Sequence, residues 1–286
     1  MAGKGCSRHA ELQRRQRIKQ KNKVKLQFFK KCKSQFLRLN KGLDHTKKWQ
    51  IYQKVKDHVR LPELYATCTK VDEFPDFAGL TDRFCIKGDK GEQGQEVLLI
   101  TKLKNGKYHD TFHNKTYCRH TIKQKLIQML KRSGRLMFEQ WLYDPKQGGV
   151  PYDYKIHVVG GKIFYIWCFN RNGKPKYINF FDQSWKKIKR EDLMIVPVKG
   201  YKFNQPDMKK MVPTPEKQKE LTDTALRLWE AFRKPHYARF DLYLINNVIY
   251  FGEVTVICGG LKTSTLKPQI IDSLMKDAPW RNKNEK

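Results

Sequence analysis

Two acidic residues late in the chain, Asp241 and Glu253, are the first to suggest chemistry. They stand in the stretch Arg239-Phe-Asp-Leu-Tyr-Leu-Ile-Asn-Asn-Val-Ile-Tyr-Phe-Gly-Glu-Val-Thr255. Residues 240–245 and 248–254 alternate as two strands do, and Asn246-Asn247 tolerates the positive φ of a tight turn. Each acid lies five or six residues from that turn, so a regular hairpin sets them nearly opposite each other. Opposed carboxylates repel unless something positive lies between them. Hard oxygen donors of this kind suit Mg²⁺, which one or two carboxylates hold together with substrate phosphates. Taken alone, two solvent-facing acids on a hairpin explain the pattern as well.

A second stretch offers phosphate chemistry. Arg83-Phe-Cys-Ile-Lys-Gly-Asp-Lys-Gly-Glu-Gln-Gly94 reads as a strand ending at Lys87 and then a loop with Gly88, Lys90, Gly91 and Gly94; Val97-Leu-Leu-Ile100 is the returning strand. Glycines let backbone N–H groups approach phosphate oxygens, and lysines add charge. No Gly-Lys-Ser/Thr opens a helix here, so this is not a Walker A loop, and a plain flexible hairpin fits equally. His109, His113, Cys118 and His120 fall within twelve residues, but their spacing matches no common zinc site and ordinary surface or packing roles account for them.

These residues belong to a chain of 286 residues with a net charge of +31, 39% hydrophobic and 12% aromatic residues. That is enough for a sizeable core. The charge attracts polyanions without choosing among nucleic acid, acidic polysaccharide, anionic membrane and nucleotides. Seven scattered cysteines, with no Cys-x-x-Cys pair, predict reduced thiols and a cytoplasmic protein. No apolar run is long enough for a transmembrane helix, and the basic N-terminus lacks the apolar stretch of a secretory signal.

Charge is unevenly spread: residues 1–60 hold 19 Lys/Arg against 3 Asp/Glu. Residues 11–39 contain no Gly or Pro, and residues 1–45 read as a basic helical arm, with Gly42 ending its helix. Residues 46–60 predict a helix with Trp49, Tyr52, Val55 and Val59 on one face, stopped by Leu61-Pro62. Residues 63–82 read as loop with short extended pieces. Further helices are predicted over 121–132, ended by Ser133-Gly134, and over 215–232. Strands are predicted over 135–143, 152–159, 162–169 and 176–181, with a turn at Gly160-Gly161. Residues 183–213 read as basic loop. Cys258-Gly259-Gly260, a basic loop and a short helix over 268–275 follow the Asp241/Glu253 hairpin. The elements form no regular βαβ series, so the class is α+β.

Their order is informative: a lysine leading into a glycine loop, a strand with Glu139, an antiparallel sheet, then the strand pair with the two acids. In this order the chain resembles the ATP-grasp superfamily, and more narrowly the TupA-like ATP-grasp family, associated with cell-surface polysaccharide and teichuronopeptide-type biosynthesis. The matching text is Leu61-Pro-Glu-Leu-Tyr65, Phe84-Cys-Ile-Lys87 with its glycine loop, Phe138-Glu-Gln-Trp-Leu142, Asp153-Tyr-Lys155, the run from Cys168 to Lys176, Arg239-Phe-Asp-Leu-Tyr243, and Phe251-Gly-Glu-Val-Thr255 with Gly259-Gly260.

The resemblance covers about residues 46–270 and implies two lobes whose antiparallel sheets clamp ATP. A glycine-loop lobe spans about 83–135 and a metal-binding lobe about 136–275, within an ATP-grasp domain of residues 46–286. It implies that Lys87 contacts the ATP phosphates and that Gly88, Lys90, Gly91 and Gly94 fold over them. Glu139, Gln140, Trp141 and Leu142 line adenine and ribose, with backbone groups at Gln140 and Leu142 reading the base. Asp241, Glu253 and Thr255 hold Mg²⁺, and Lys155 and Arg239 neutralise the transferring phosphate, with Asp153 positioning Lys155. The activity so implied is an ADP-forming carboxylate–amine ligase working through an acylphosphate, on an anionic polysaccharide or related polyanion. A basic nucleic-acid-binding protein with a degenerate or repurposed ATP-grasp body is the alternative.

The sequence departs from the pattern where the family usually has Asn and this chain has Thr255. It also departs at Asp89-Lys90, where relatives often carry a His-Gly-Ser run, and at Lys47-Lys48, where Asp-Lys is usual. The basic arm stands where the N-terminal lobe of such proteins would be, which predicts an acceptor site partly missing or differently built.

Overall fold

The computed structural model describes residues 26–90, 96–173, 175–188, 200–203 and 208–256, together with Gln13. Residues 1–12 and 14–25 of the arm, Gly91 and Gly94 of the glycine loop, the Cys258-Gly259-Gly260 run and the helix expected over 268–275 lie outside the described residues.

Two six-stranded sheets organise the chain. The first is ordered β1-β6-β2-β3-β4-β5, comprising β1 (Leu64–Cys68), β2 (Arg83–Gly88), β3 (Val97–Lys102), β4 (Tyr108–Asp110), β5 (Lys115–Tyr117) and β6 (Leu136–Gln140). The second is ordered β10-β9-β8-β7-β11-β12, comprising β7 (Asp153–Val159), β8 (Lys162–Asn170), β9 (Lys176–Phe181), β10 (Tyr201–Phe203), β11 (Tyr237–Ile245) and β12 (Val248–Thr255). All pairings are antiparallel except that of β10 with β9. Part of the expected loop over 63–82 is therefore an edge strand, β1, held by β6.

The helices cover the sheets where their apolar spacing allows. Helix α1 (26–39) buries Phe28, Phe29, Cys32 and Phe36 on one side. It ends at Asn40, whose Nδ2 donates to the carbonyls of Phe36 (3.0 Å) and Phe232 (2.8 Å). Helix α2 (Lys48–Val55) is shorter than the expected 46–60 and buries Ile51, Tyr52 and Val55. Helix α3 (Arg119–Ser133) stops at Gly134, whose φ of 73° suits a residue without Cβ. Helix α4 (Pro215–Ala231) starts with Thr214 as N-cap and proline in its first turn.

Three apolar cores result. The first sheet and α3 share one, built on Phe84, Ile86, Leu126 and Phe138. One face of the second sheet packs on α2 and α4 through Ile156, Phe240, Phe251 and Leu228, and Met137 of β6 enters this same core, so the two sheets meet beside α2. The other face of the second sheet is aromatic at one end, where Tyr165, Trp167, Phe180 and Tyr237 lie under Phe28 and Phe29 of α1. At its other end that face is charged.

Candidate active site

Asp241 and Glu253 do pair across the β11–β12 hairpin, but the hairpin is not regular. Asn246 and Asn247 have φ of 48° and 63°, as a two-residue turn of this kind needs. From Ile245↔Val248 to Leu242↔Phe251 the register is unbroken; it then shifts by one, to Asp241↔Glu253. Gly252 is the extra residue of a β-bulge. Without it Glu253 would face Phe240, and its side chain would point to the opposite side of the sheet from Asp241. The bulge keeps Phe251 in the core and turns Glu253 and Thr255 to the face that carries Asp241. A Cβ on Gly252 would stand 2.7 Å from Cε2 of Tyr243 and 3.0 Å from the carbonyl oxygen of Asp241, so this close approach needs glycine.

Strand alternation brings Asp153, Lys155 and His157 of β7 to the same face as Arg239 and Asp241 of β11, with Lys155 opposite Asp241 and His157 opposite Arg239. The Lys155 ammonium bridges Asp241 and Asp153, the latter at 2.9 Å. Arg171 reaches the same oxygen of Asp153, Oδ2, at 2.6 Å, and the buried Oδ1 has no hydrogen-bond partner. Arg239 grips Asp241 with two nitrogens, Nε at 2.6 Å and Nη2 at 2.9 Å. Burial alone would raise the Asp153 carboxyl, but Lys155 and then Arg171 outweigh it and hold the pKa at about 2. Burial pushes the Glu253 carboxyl above its ordinary range, and the facing Asp241 adds to the shift. Solvent reaches Glu253, which makes no ion pair among the described residues.

The first sheet presents a second constellation. Lys87, on β2, pairs with Glu139 of β6, which is 1% exposed. The Tyr52 hydroxyl, from α2, lies 3.2 Å from the lysine and 3.1 Å from the carboxylate. Burial pulls the Lys87 pKa down, but Glu139, then Tyr52, Cys85 and Tyr243, together more than reverse this and the ammonium ends well above its ordinary value. One helical turn before Tyr52, Lys48 projects into the same region. Burial lowers its pKa, offset in part by Glu253, Asp89 and Glu139. Tyr243 of β11 feels Asp153, Arg171, Lys87 and Asp241 together. The two constellations are therefore close enough to act on each other electrostatically.

Strand register sets Lys155, Arg239, Asp241, Glu253 and Thr255 on one face of the second sheet, and Lys87 and Glu139 pair on the first. Gly88 closes β2, where an added Cβ would meet Ser133 Oγ at 2.8 Å. Asp89 is buried and Lys90 is exposed. Gln140 donates its backbone N–H to the Glu63 carbonyl at 2.7 Å, so that group is committed inside the protein. Trp141 is buried with its indole N–H unpartnered. The histidine-rich stretch holds no metal-type cluster among the described residues: His113 pairs with Asp110 at 2.5 Å and His109 with Thr116 at 3.1 Å.

Three residues escaped the sequence reading. Tyr52 registers there only as part of the apolar stripe of α2. Lys48 is four residues before it on the same helical face, which was the available signal. Arg171 lies inside a quoted matching run, yet nothing local links it to Asp153.

No protein-family model matches the chain, and no curated protein matches it in sequence. Its structure is similar to that of D-alanine–D-alanine ligase from Helicobacter pylori, with a TM-score of 0.50 and 14% identity over 82% of this chain and 59% of that one. The Bacillus anthracis D-alanine–D-alanine ligase complexed with ATP gives 0.48 and 14% over 80% and 60%. The ATP-grasp ligase PsnB, complexed with a precursor variant, Mg and ADP, gives 0.46 and 10% over 84% and 60%. The likeness to the Helicobacter pylori enzyme shows the ATP-grasp fold. The chain spans about three fifths of the length of these ligases.

Proposed function

We propose that this protein is an ATP- and Mg²⁺-dependent, ADP-forming ligase of the carboxylate–amine type. The observation that carries the reading is the nearness of the two charged groups, which we take as the lining of one cleft. Lys87 of the first sheet and Lys48 of α2 would meet the phosphates there, beside Asp241, Glu253, Lys155 and Arg239 of the second sheet and Arg171 just after β8. Phosphoryl transfer needs positioning and charge neutralisation more than covalent help from the protein, and this cleft offers both.

In this reading Lys87 and Lys48 bind the ATP phosphates under the loop that follows Gly88, with Lys90, Gly91 and Gly94 in that loop. Glu139, Gln140, Trp141 and Leu142 border the base and ribose. A substrate carboxylate oxygen attacks the γ-phosphorus, the bond to the bridging oxygen breaks, and ADP leaves. An amine then adds to the acyl carbon and loses its proton as phosphate departs. Lys155 and Arg239 neutralise the transferring group, while Asp153 and Asp241 hold them in place.

The donor set of Asp241, Glu253 and the Thr255 hydroxyl is all oxygen, which suits Mg²⁺. When bound there, the ion supplies charge neutralisation at the β- and γ-phosphates. Asp241 already serves Lys155 and Arg239, so Glu253 is the more available ligand.

The acceptor we propose is polyanionic, an acidic polysaccharide with uronic carboxylates. No Asp or Glu occurs between Glu11 and Asp44, and the outward side of α1 exposes Lys30, Lys31 and Arg38. The same observation favours the second reading, nucleic-acid binding, which predicts a steep salt dependence lost on deleting residues 1–45. A cytoplasmic location accords with the need for ATP and with five described cysteines that are all free thiols. No helix among the described residues is long and apolar enough to cross a membrane.

Calorimetry with Mg·ATP, followed by ADP release in the presence of uronates and amines, tests the ligase. Binding in wild type and its loss in Lys87→Ala, with folding matched by circular dichroism, supports it. A folded wild-type protein that binds no Mg·ATP at millimolar concentration overturns it.

A further inference from the structure

The stem of the glycine loop is fastened to the start of helix α2 by one residue, Asp89, through its side chain and its carbonyl. Helix α2 has no cap of its own: Lys47 makes no side-chain capping bond, and its first turn holds no acid. The N-terminal N–H groups of a helix need acceptors, and an aspartate there answers both the hydrogen bond and the helix dipole. Asp89 supplies this from 40 residues away. Its Oδ1 accepts from Trp49 N at 2.7 Å, and its carbonyl accepts from Lys48 N at 3.0 Å. The same residue is tied to the first sheet, with Asp89 N donating to the Arg135 carbonyl at 2.9 Å and Gly88 N to that of Glu96 at 2.8 Å. Asp89 is 6% exposed, and its carboxylate is engaged by the helix N-terminus.

We infer that Asp89 is a positioning residue that caps α2 in trans and so moves the loop stem, Lys48 and Tyr52 as one body. Helix α2 packs through Ile51, Tyr52 and Val55 in the core of the metal-bearing lobe, while Asp89 continues directly from β2 of the other. The bond from Asp89 to Trp49 is thus a link between lobes at the place where the phosphates would lie. It also accounts for an acid in a loop meant for anions: the carboxylate serves a helix N-terminus. The role rests on the ligase reading, since its effect is on nucleotide binding.

The test compares Asp89→Ala with Asp89→Asn in the full chain. It measures Mg·ATP affinity by calorimetry below the unfolding range, and amide hydrogen exchange across residues 47–52 and 86–90. Losing a cap is worth about 1.4 kcal/mol, or tenfold in an equilibrium constant. Asp89→Ala is therefore expected to weaken Mg·ATP about tenfold and to raise exchange in both segments together. Asp89→Asn keeps the Oδ1 acceptor and is expected to stay within about threefold of wild type, because Asn and Asp cap helix N-termini about equally well. Unchanged affinity in Asp89→Ala, with only a lower Tm, overturns the inference. So does an Asn variant as weak as Ala, because charge rather than capping would then be the cause. Wild-type protein that binds no Mg·ATP refutes the ligase reading and this role with it; binding in wild type and equal binding in Asp89→Ala sinks the coupling alone.

Discussion

Replacing Glu253 by Gln is expected to move stability in two opposite directions. In the free protein Glu253 faces Asp241 across the bulge, and burial and that neighbour both raise its pKa. A carboxyl raised above its unfolded value contributes fully below the ordinary carboxylate pKa. That contribution is lost as pH rises through the raised value, so at neutral pH the charged group destabilises. Like charges on paired strands cost roughly 0.2–1 kcal/mol, and solvent at Glu253 keeps the figure low. At about 2–4 °C per kcal/mol for a chain of this size, Glu253→Gln should raise the Tm of the free protein by up to about 4 °C. Ligand reverses the order. Mg·ATP at a hundred times its Kd stabilises by about 2.7 kcal/mol, about 5–11 °C, in wild type. The amide variant, deprived of its most available anionic metal donor, should keep less than about 2 °C of that shift. Differential scanning fluorimetry with and without Mg·ATP reads both. In wild type the Mg·ATP shift should also shrink as pH falls through the raised pKa, because the cation competes with a proton. A variant less stable than wild type when free, or one that retains the full ligand shift, refutes the reasoning.

Lys87→Met should be costly, since it leaves Glu139 buried with only the Tyr52 hydroxyl; about 3–5 kcal/mol should disappear in urea unfolding, and adding Glu139→Gln should restore much of it. Gly252→Ala should cost about 1–3 kcal/mol and reduce the Mg·ATP shift, because its Cβ meets Tyr243 and the Asp241 carbonyl; an unchanged Tm would mean that the bulge relaxes freely. On the acid side, Asp153 has its pKa lowered to about 2, so its contribution is present above the ordinary carboxylate pKa and is lost as pH falls from about 4 toward 2. Asp153→Asn should flatten that limb of the Tm–pH curve.

What the sequence made legible was local. Alternation located β7, β8, β11 and β12, and Asn246-Asn247 marked the turn that both residues complete with positive φ. The opposition of Asp241 and Glu253 also held, although a regular hairpin does not produce it. Counting from the turn pairs Asp241 with Gly252, and only the extra residue corrects the parity. An isolated glycine within a strand is the usual mark of a bulge, so Gly252 carried the signal. Lys48, Tyr52 and Arg171 were not legible in that way. Their roles depend on partners 18 to 205 residues distant, such as Asp153 for Arg171 and Glu253 for Lys48, and periodicity says nothing about such pairs.

The two buried charge groups differ in a way that bears on what the cleft does. Around Lys87 the charges cancel: one ammonium, one carboxylate and a neutral hydroxyl bonded to both. On the floor, Lys155, Arg171 and Arg239 outnumber Asp153 and Asp241, and only Glu253, raised in pKa and reached by solvent, restores the balance. Buried ion pairs are a poor means of stabilising a sheet, because apolar residues of similar volume often do as well or better. The other end of this same face shows that alternative, with Tyr165, Trp167, Phe180 and Tyr237 packed under α1. Along one face, therefore, the strands change from aromatic packing under α1 to cations fixed by carboxylates. Cations already held in place by carboxylates need little reorganisation when an anion arrives. A cation bound to Glu253 would free their full charge for that anion, which makes the acid at the bulge the residue on which metal and phosphate binding should be coupled.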